Sequence, residues 1–349
     1  MRTLTAELVG TGGLIKAQPE DFIVEELPAY LPSGEGAHTF LLVEKRGLTT
    51  AEAVQRLARA LAFRREDAGA AGQKDRQAVT RQWISVPNID PARALAVTVD
   101  DVRVLEAKRH GNKLRTGHLV GNRFRITLRG TRDGVTRARA IVEQLASSGM
   151  PNYFGAQRFG ARGDNAARGR ALLVPPTDAS ETLRRPRLPG AERRLLVSAY
   201  QSELFNRYLD ARCDDGLLTR ALFGDVLKKS DTGGLFTVDA DADAIAAAQT
   251  RLDTGAVVVT GPMFGHKMMA PPAGSPARAR EDALLAAEGI DAAAFASMGK
   301  LAEGTRRPLL VPVAHAEVGP GPEPDAVLLV FTLPPGAYAT VLLAEVMKS

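Results

Sequence analysis

The feature that most constrains this chain is one stretch, Gly72 to Val86, reading Gly-Gln-Lys-Asp-Arg-Gln-Ala-Val-Thr-Arg-Gln-Trp-Ile-Ser-Val. It reads as a loop feeding a strand. Gly69-Ala70-Ala71-Gly72 is small, and its glycines permit backbone angles that other residues avoid. Val79, Trp83, Ile84 and Val86 then predict a partly buried strand closed by Pro87. The loop before that strand carries a single carboxylate, Asp75, between Lys74 and Arg76. Taken by its chemistry alone, such a triplet is first of all solvated loop charge. Flanking cations also favour the ionised form of an Asp. An ionised carboxylate held at the mouth of a strand can serve as a nucleophile or a base.

The chain's 349 residues allow one large domain or two ordinary ones, and 45% apolar content supplies a substantial core. No apolar run is long enough to span a bilayer, and Met1 to Glu7 lacks the apolar centre of a signal peptide. Cys213 is the single cysteine, so neither an intramolecular disulfide nor a cysteine cluster can form. Five histidines without metal-ligand spacing make a metal site improbable. These points predict a cytoplasmic protein. Forty-five Lys and Arg against 40 Asp and Glu give a mildly basic chain, which permits a polyanionic partner without requiring one.

Before the Asp75 loop, Lys16-Ala17-Gln18-Pro19-Glu20-Asp21-Phe22 leads into an alternating run with Phe22 and Val24 on one face. Thr49 or Thr50 can cap a helix over about 50–62, with Val54, Leu57 and Leu61 at helical spacing. After the loop comes a basic block from Arg103 to Arg125 that includes Arg109, Lys113 and Arg115, with Glu106 as its only acid. Gly111-Asn112 in its middle predicts a tight hairpin. A hairpin so charged suits phosphate contact, or equally a solvated basic edge strand. Phe124, Ile126 and Leu128 then alternate with Arg123, Arg125 and Thr127, and 133–145 predicts an amphipathic helix.

At Asn152-Tyr153-Phe154-Gly155-Ala156-Gln157-Arg158-Phe159-Gly160 the chain turns aromatic, glycine-rich and basic together. Such a stretch can stack on bases or form a packed turn. Beyond it, 165–173, 195–212, 239–252 and 282–288 predict helices, and Arg184-Arg185-Pro186-Arg187 a basic linker. Strands are predicted from Val257, over 309–313 and over 326–333, with a terminal helix after Tyr338.

Five separated segments resemble, in family order, the TruD family of tRNA pseudouridine synthases. Gly72 to Gln82 is similar to that family's catalytic pattern G-x-K-D-R/K-x-A-x-T-x-Q, with every fixed position present. Lys16 to Phe22 matches K-x-x-P-E-D-F, and Gly121-Asn122-Arg123-Phe124 matches G-N-x-F. Asn152 to Gly160 matches N-Y-F-G-x-Q-R-F-G, and Pro334 to Thr340 resembles P-x-G-S/A-F/Y-A-T. Gly261-Pro262 to Gly265 resembles a G-P-x-x-G turn common in its members.

The resemblance implies an α+β fold: a mixed or antiparallel sheet flanked by helices, with an inserted α/β domain. The catalytic domain would be built from about 1–151 and 309–349, and the insertion at about 152–308 would face it across a cleft. Asp75 would be the nucleophile or base, and Lys16 its paired cation. Phe22, Asn122 and Tyr338 would hold the nucleotide, and Phe124 would stack on the base. The resemblance further implies a tRNA substrate, uridine 13 as target, and no cofactor, because isomerisation involves no redox change. The basic residues Arg109, Lys113, Arg115 and Arg158 are candidate RNA contacts. Two other classes remain open at this point. A non-catalytic RNA-binding factor would use the same basic and aromatic residues but would not demand Asp75. An aspartate-dependent nucleosidase would release free uracil.

Overall fold

A computed structural model describes residues 1–174 and 188–348. The chain divides into two compact units: Thr5–Gly149 with Pro312–Ser349, and Met1–Leu4 with Met150–Val311.

The first unit is organised around an eight-stranded sheet. Its strands are β1 (Phe22–Pro28), β2 (His38–Arg46), β3 (Gly69–Ala70), β4 (Val79–Pro87), β5 (Val102–His110) and β6 (Leu119–Leu128), completed by two from the far end of the chain. With β7 (Met150–Pro151), β8 (Val226–Lys229), β9 (Leu235–Thr237), β10 (Val257–Met263), β11 (Thr305–Pro308) and β12 (Leu310–Val311) assigned to the other unit, those two are β13 (Ala314–Pro320) and β14 (Val327–Leu333). The order is β13-β14-β6-β1-β4-β2-β5, with β3 beside β4. β1 and β4 run parallel and their neighbours antiparallel, so the sheet is mixed and the architecture α+β.

Strand register decides which side chains meet. Val24 lies opposite both Thr80 and Phe124, and Phe124 lies opposite Phe331, so these four share one face. The helix Thr50–Leu61 packs on that same face, where Val54, Leu57 and Leu61 join Leu41, Val43, Ile84 and Val86 in one core. Its start is a capping box: Thr49 Oγ1 accepts from the Glu52 N–H at 3.2 Å, and Glu52 Oε2 accepts from the Thr49 N–H at 2.7 Å. The helix Gly134–Ser148 buries Ala138, Ile141, Val142 and Leu145 at the other end of the sheet, against β13 and β14. Its first residue must be small, because a Cβ on Gly134 would come 2.4 Å from Val327 Cγ2. Helices therefore cover the two ends of this face. Between them, β1, β4 and β6 carry Phe22, Phe124 and the loop of Asp75.

The predicted hairpin at Gly111-Asn112 does not form. β5 pairs with β2 at the sheet edge, while β6 pairs with β1 and β14, so three strands separate the two. Crossing them takes about 19 Å at ~4.8 Å per strand, within the ~27 Å reach of eight extended residues. The crossing is pinned by Leu114, buried with Phe40 and Trp83, whose N–H donates to Ser85 Oγ at 3.0 Å. A second difference concerns 309–313. Only Leu310–Val311 is a strand there, paired with β7, and the main sheet gains β13 from a segment not anticipated as strand.

The second unit carries the sheet β11-β10-β8-β9 and helices at Asn165–Leu173, Gly190–Asp214, Ala242–Asp253, Pro276–Ala287 and Ala292–Ser297. The aromatic stretch after Met150 is a packed turn: Tyr153 is buried and its hydroxyl donates to Asp210 at 2.7 Å. Arg212 is fully buried and grips Asp225 through Nη1 and Nη2 at 2.8 and 3.1 Å. The basic segment Arg184-Arg185-Pro186-Arg187 lies outside the described residues.

Candidate active site

The Asp75 loop is knitted to its surroundings by Gln82, from the motif itself, and by Thr50, from the helix N-terminus. Gln82, on β4, donates through Nε2 to the Gly72 carbonyl at 3.3 Å. Its Oε1 accepts from the Thr50 hydroxyl at 2.8 Å, and Thr50 Oγ1 accepts from the Lys74 N–H at 2.9 Å. The strand and the helix N-terminus thus fix the backbone on which Lys74, Asp75 and Arg76 stand. Arg76 then turns to Glu52, and Lys74 turns inward to Glu26 at 2.7 Å.

Asp75 itself points out, with 46% of its side chain exposed, and Oδ2 accepts from Lys16 Nζ at 3.0 Å. Lys16 reaches it from a left-handed backbone conformation, φ 57°, which costs a non-glycine residue about 1 kcal/mol. The conformation is held on both sides. Leu14 exchanges backbone hydrogen bonds with Arg129 at 2.8 and 3.0 Å. The turn that follows is clamped by Asp21, which accepts a two-pronged grip from Arg129 Nε and Nη2 at 3.0 and 2.8 Å. Lys16 Nζ also lies 4.5 Å from the centre of the Phe22 ring, a cation–π contact.

Aromatic packing continues from there. Phe22 meets Phe124 edge-on with centroids 6.2 Å apart, and Phe124 stacks on Phe331 at 5.3 Å. Asn122 stands two residues before Phe124 on the same face, and its Oδ1 accepts from Lys74 Nζ at 2.7 Å. The structure thus joins Lys16, Phe22, Asp75, Asn122 and Phe124 into one contiguous group. It presents an ion-paired carboxylate, a cation over an aromatic ring, and an amide. Such a group can deliver an oxygen nucleophile or base to a planar substrate. Among the described residues, no cluster of three or more His, Cys, Asp or Glu could hold a metal ion.

The family model of TruD, tRNA pseudouridine synthase D, matches residues 1–178 and 170–346. The chain belongs to this family. It is 51% identical over 346 residues to a tRNA pseudouridine synthase D of Anaeromyxobacter sp. (strain Fw109-5), covering 99% of this chain and 95% of that one. To a protein of that name from Thermus thermophilus it is 44% identical, covering 99% and 91%. The crystal structure of a candidate tRNA pseudouridine synthase D (TruD) from Methanosarcina mazei superposes with a TM-score of 0.79 at 26% identity, over 100% of this chain and 96% of that one.

In this TruD-family chain the other candidate residues lie apart from the Lys16–Asp75 pair or beside its loop. Tyr338 is the residue before the helix Ala339–Met347, in the same unit as Asp75. Lys113 and Arg115 line a cavity of about 460 Å³ together with Gln73 and Thr50, which places the 111–118 crossing beside the Asp75 loop. Lys113 Nζ donates to the Glu66 carbonyl at 2.8 Å, and Arg109 Nη1 to Asn88 Oδ1 at 2.7 Å. Arg158 stands in the other unit, where its Nε donates to Ser202 at 3.0 Å and its guanidinium lies over Phe154.

Three members of the group escaped sequence reasoning. Lys45 is fully buried, and its Nζ donates to the Leu48 and Asp75 carbonyls at 2.5 and 2.9 Å. Burial pulls its ammonium down to about 8. Glu26 is buried too, and burial raises its carboxyl above the usual range against the pull of Lys74. Phe331 is the third. In a strand that alternates faces, the first two read as surface charge; only the parity of Glu26 with Phe22 and Val24 marked it as inward.

Proposed function

We propose that this protein is an isomerase that converts uridine in tRNA, expected at position 13, to pseudouridine, with Asp75 as nucleophile or base. In that reaction the N1–C1′ glycosidic bond breaks, the uracil turns, and a C5–C1′ bond forms. The C5 proton leaves to solvent and N1 ends protonated, so atoms balance without an oxidant or reductant. The carboxylate of Asp75 attacks C1′ or removes a sugar proton. Lys16, 3.0 Å from that carboxylate, orients it and offsets its charge. The target base must leave its stack to reach the site, and Phe22, Phe124, Asn122 and Tyr338 hold it there.

In this reading the unit with the mixed sheet is catalytic, the 150–311 unit is the family's inserted domain, and the protein works in the cytoplasm. Arg109, Lys113, Arg115 and Arg158 meet tRNA phosphates. The observation that carries the reading is the 3.0 Å Lys16–Asp75 pair beside the Phe22 ring, in a chain that belongs throughout to the TruD family. The test is to incubate the protein with unmodified tRNA transcripts and map pseudouridine at nucleotide resolution. Pseudouridine at position 13 is the expected product. Free uracil would assign the chain to hydrolysis, and no change in the RNA would leave a binding protein.

A further inference from the structure

The amide of Asn122 has a fixed polarity. An ammonium group only donates hydrogen bonds, so the Asn122 atom 2.7 Å from Lys74 Nζ has to be the carbonyl oxygen. Lys74 has no freedom to relax this, because the same Nζ is paired with Glu26 at 2.7 Å. Both side chains are out of solvent, 6% exposed for Lys74 and 0% for Glu26. Glu26 lies directly opposite Asn122 in the β1–β6 register, so the Lys74 ammonium bridges the two side chains from one strand to the next. What remains of Asn122 is Nδ2, with two N–H donors and no protein partner among the described residues. It is half-buried, it stands on the face of Phe124, and the residue after its anchor Lys74 is Asp75.

We propose that Lys74, held by Glu26, is a positioning residue that locks Asn122 as a hydrogen-bond donor toward the target nucleotide, so that the site selects a base with a carbonyl oxygen at that point. The inference rests on the reading given under Proposed function. Uracil offers such an oxygen at C2 and at C4. Cytosine replaces the one at C4 with an amino group, which would set donor against donor. A site built to hydrogen-bond one edge rejects its mismatch because both partners are then left unpaired. Without Lys74 the amide could turn over and accept instead, and the preference would fade.

The experiment uses tRNA transcripts carrying uridine, 2-thiouridine or 4-thiouridine at the modified position, since a thiocarbonyl is a weak acceptor. Single-turnover isomerisation is measured for the intact protein, for Asn122→Ala, and for Lys74→Met combined with Glu26→Gln, which removes both buried charges together. In the intact protein one of the thio substitutions should slow the reaction about tenfold, the worth of one hydrogen bond. In both variants that penalty, taken relative to each variant's own reduced rate on uridine, should shrink to less than about threefold. A penalty of equal size in the intact protein and the double variant would overturn the role of Lys74. No penalty in the intact protein would overturn the donor assignment. If the double variant does not fold, Lys74→Gln with Glu26→Gln asks the same question, because a Gln amide can meet Asn122 as donor or acceptor. Failure of the intact protein to form pseudouridine on plain tRNA is a separate result, and it strikes the proposed function.

Discussion

Lys45 supports Asp75 from within: its ammonium, 1% exposed, donates to the Asp75 backbone carbonyl at 2.9 Å. The other acceptor of the same group is the Leu48 carbonyl. Two acceptors match the two N–H bonds of a neutral amine, so loss of the third proton leaves both contacts intact. Lys45→Met should orphan both carbonyls and destabilise the protein by about 1–3 kcal/mol. The folded ammonium titrates near 8 against the ordinary 10.5, so the unfolded chain binds more protons between those values. This group's contribution to stability therefore rises from about pH 8 to about 10.5 and is lost as pH falls through 8. Denaturant titrations at pH 7, 8 and 9 should show the intact protein gaining on Lys45→Met as pH rises. A constant gap would mean that Lys45 titrates normally.

Asp75→Asn should abolish pseudouridine formation and leave the fold nearly unchanged. The Lys16–Asp75 pair is partly exposed, at 18% and 46% of the two side chains, and pairs of that kind contribute roughly 0–1 kcal/mol. Affinity for tRNA should also hold, since phosphate contacts elsewhere dominate it. Isomerisation rate, melting temperature and tRNA dissociation constant separate the roles. Near-normal turnover would end the assignment of Asp75 as catalyst.

Binding of tRNA should weaken steeply with salt, and Arg109→Ala with Lys113→Ala should flatten the log–log slope by roughly one per lost phosphate contact. These residues sit on an edge strand and on the crossing beside the Asp75 loop, so their contacts would lie near the reacting nucleotide. An unchanged slope would remove this edge from the RNA interface.

Asp225→Asn should be costly in a way confined to the second unit. It strands the fully buried Arg212, a change worth about 3–5 kcal/mol. Trp83 is the only tryptophan and lies in the first unit. The unfolding transition followed by circular dichroism should therefore move more than the one followed by Trp83 fluorescence. Equal shifts in both would mean that the two units unfold together.

What the sequence disclosed follows from range. Local signals read well: the Thr49 cap with Val54, Leu57 and Leu61, and the alternation of Phe124, Ile126 and Leu128, each lie within one element. Lys16 and Asp75 were legible as a pair only through family resemblance, because nothing local ties residues so far apart. Strand pairing is non-local as well. Gly111-Asn112 carries a hairpin's turn chemistry, yet Leu114, seated under Phe40 and Trp83, draws the chain across the sheet instead. β13 escaped notice because it is a half-exposed edge strand containing His315, Gly319 and Pro320, with little apolar alternation. Lys45 and Glu26 were hidden because a charged residue is rarely buried, and only the backbone carbonyls and Lys74 facing them make those positions tenable.

The pairing of β6 with β14 also sets an order of assembly. Phe124 and Phe331 stack across two strands that the whole 150–311 unit separates along the chain. Synthesis proceeds from the N-terminus, so Lys16, Asp75 and Asn122 leave the ribosome long before β14 exists. Until it arrives, β6 has an open edge and Phe124 an uncovered ring. A nascent chain stalled anywhere in the second unit thus holds Asp75 without a finished aromatic wall, and the candidate site closes only as the last strand is delivered.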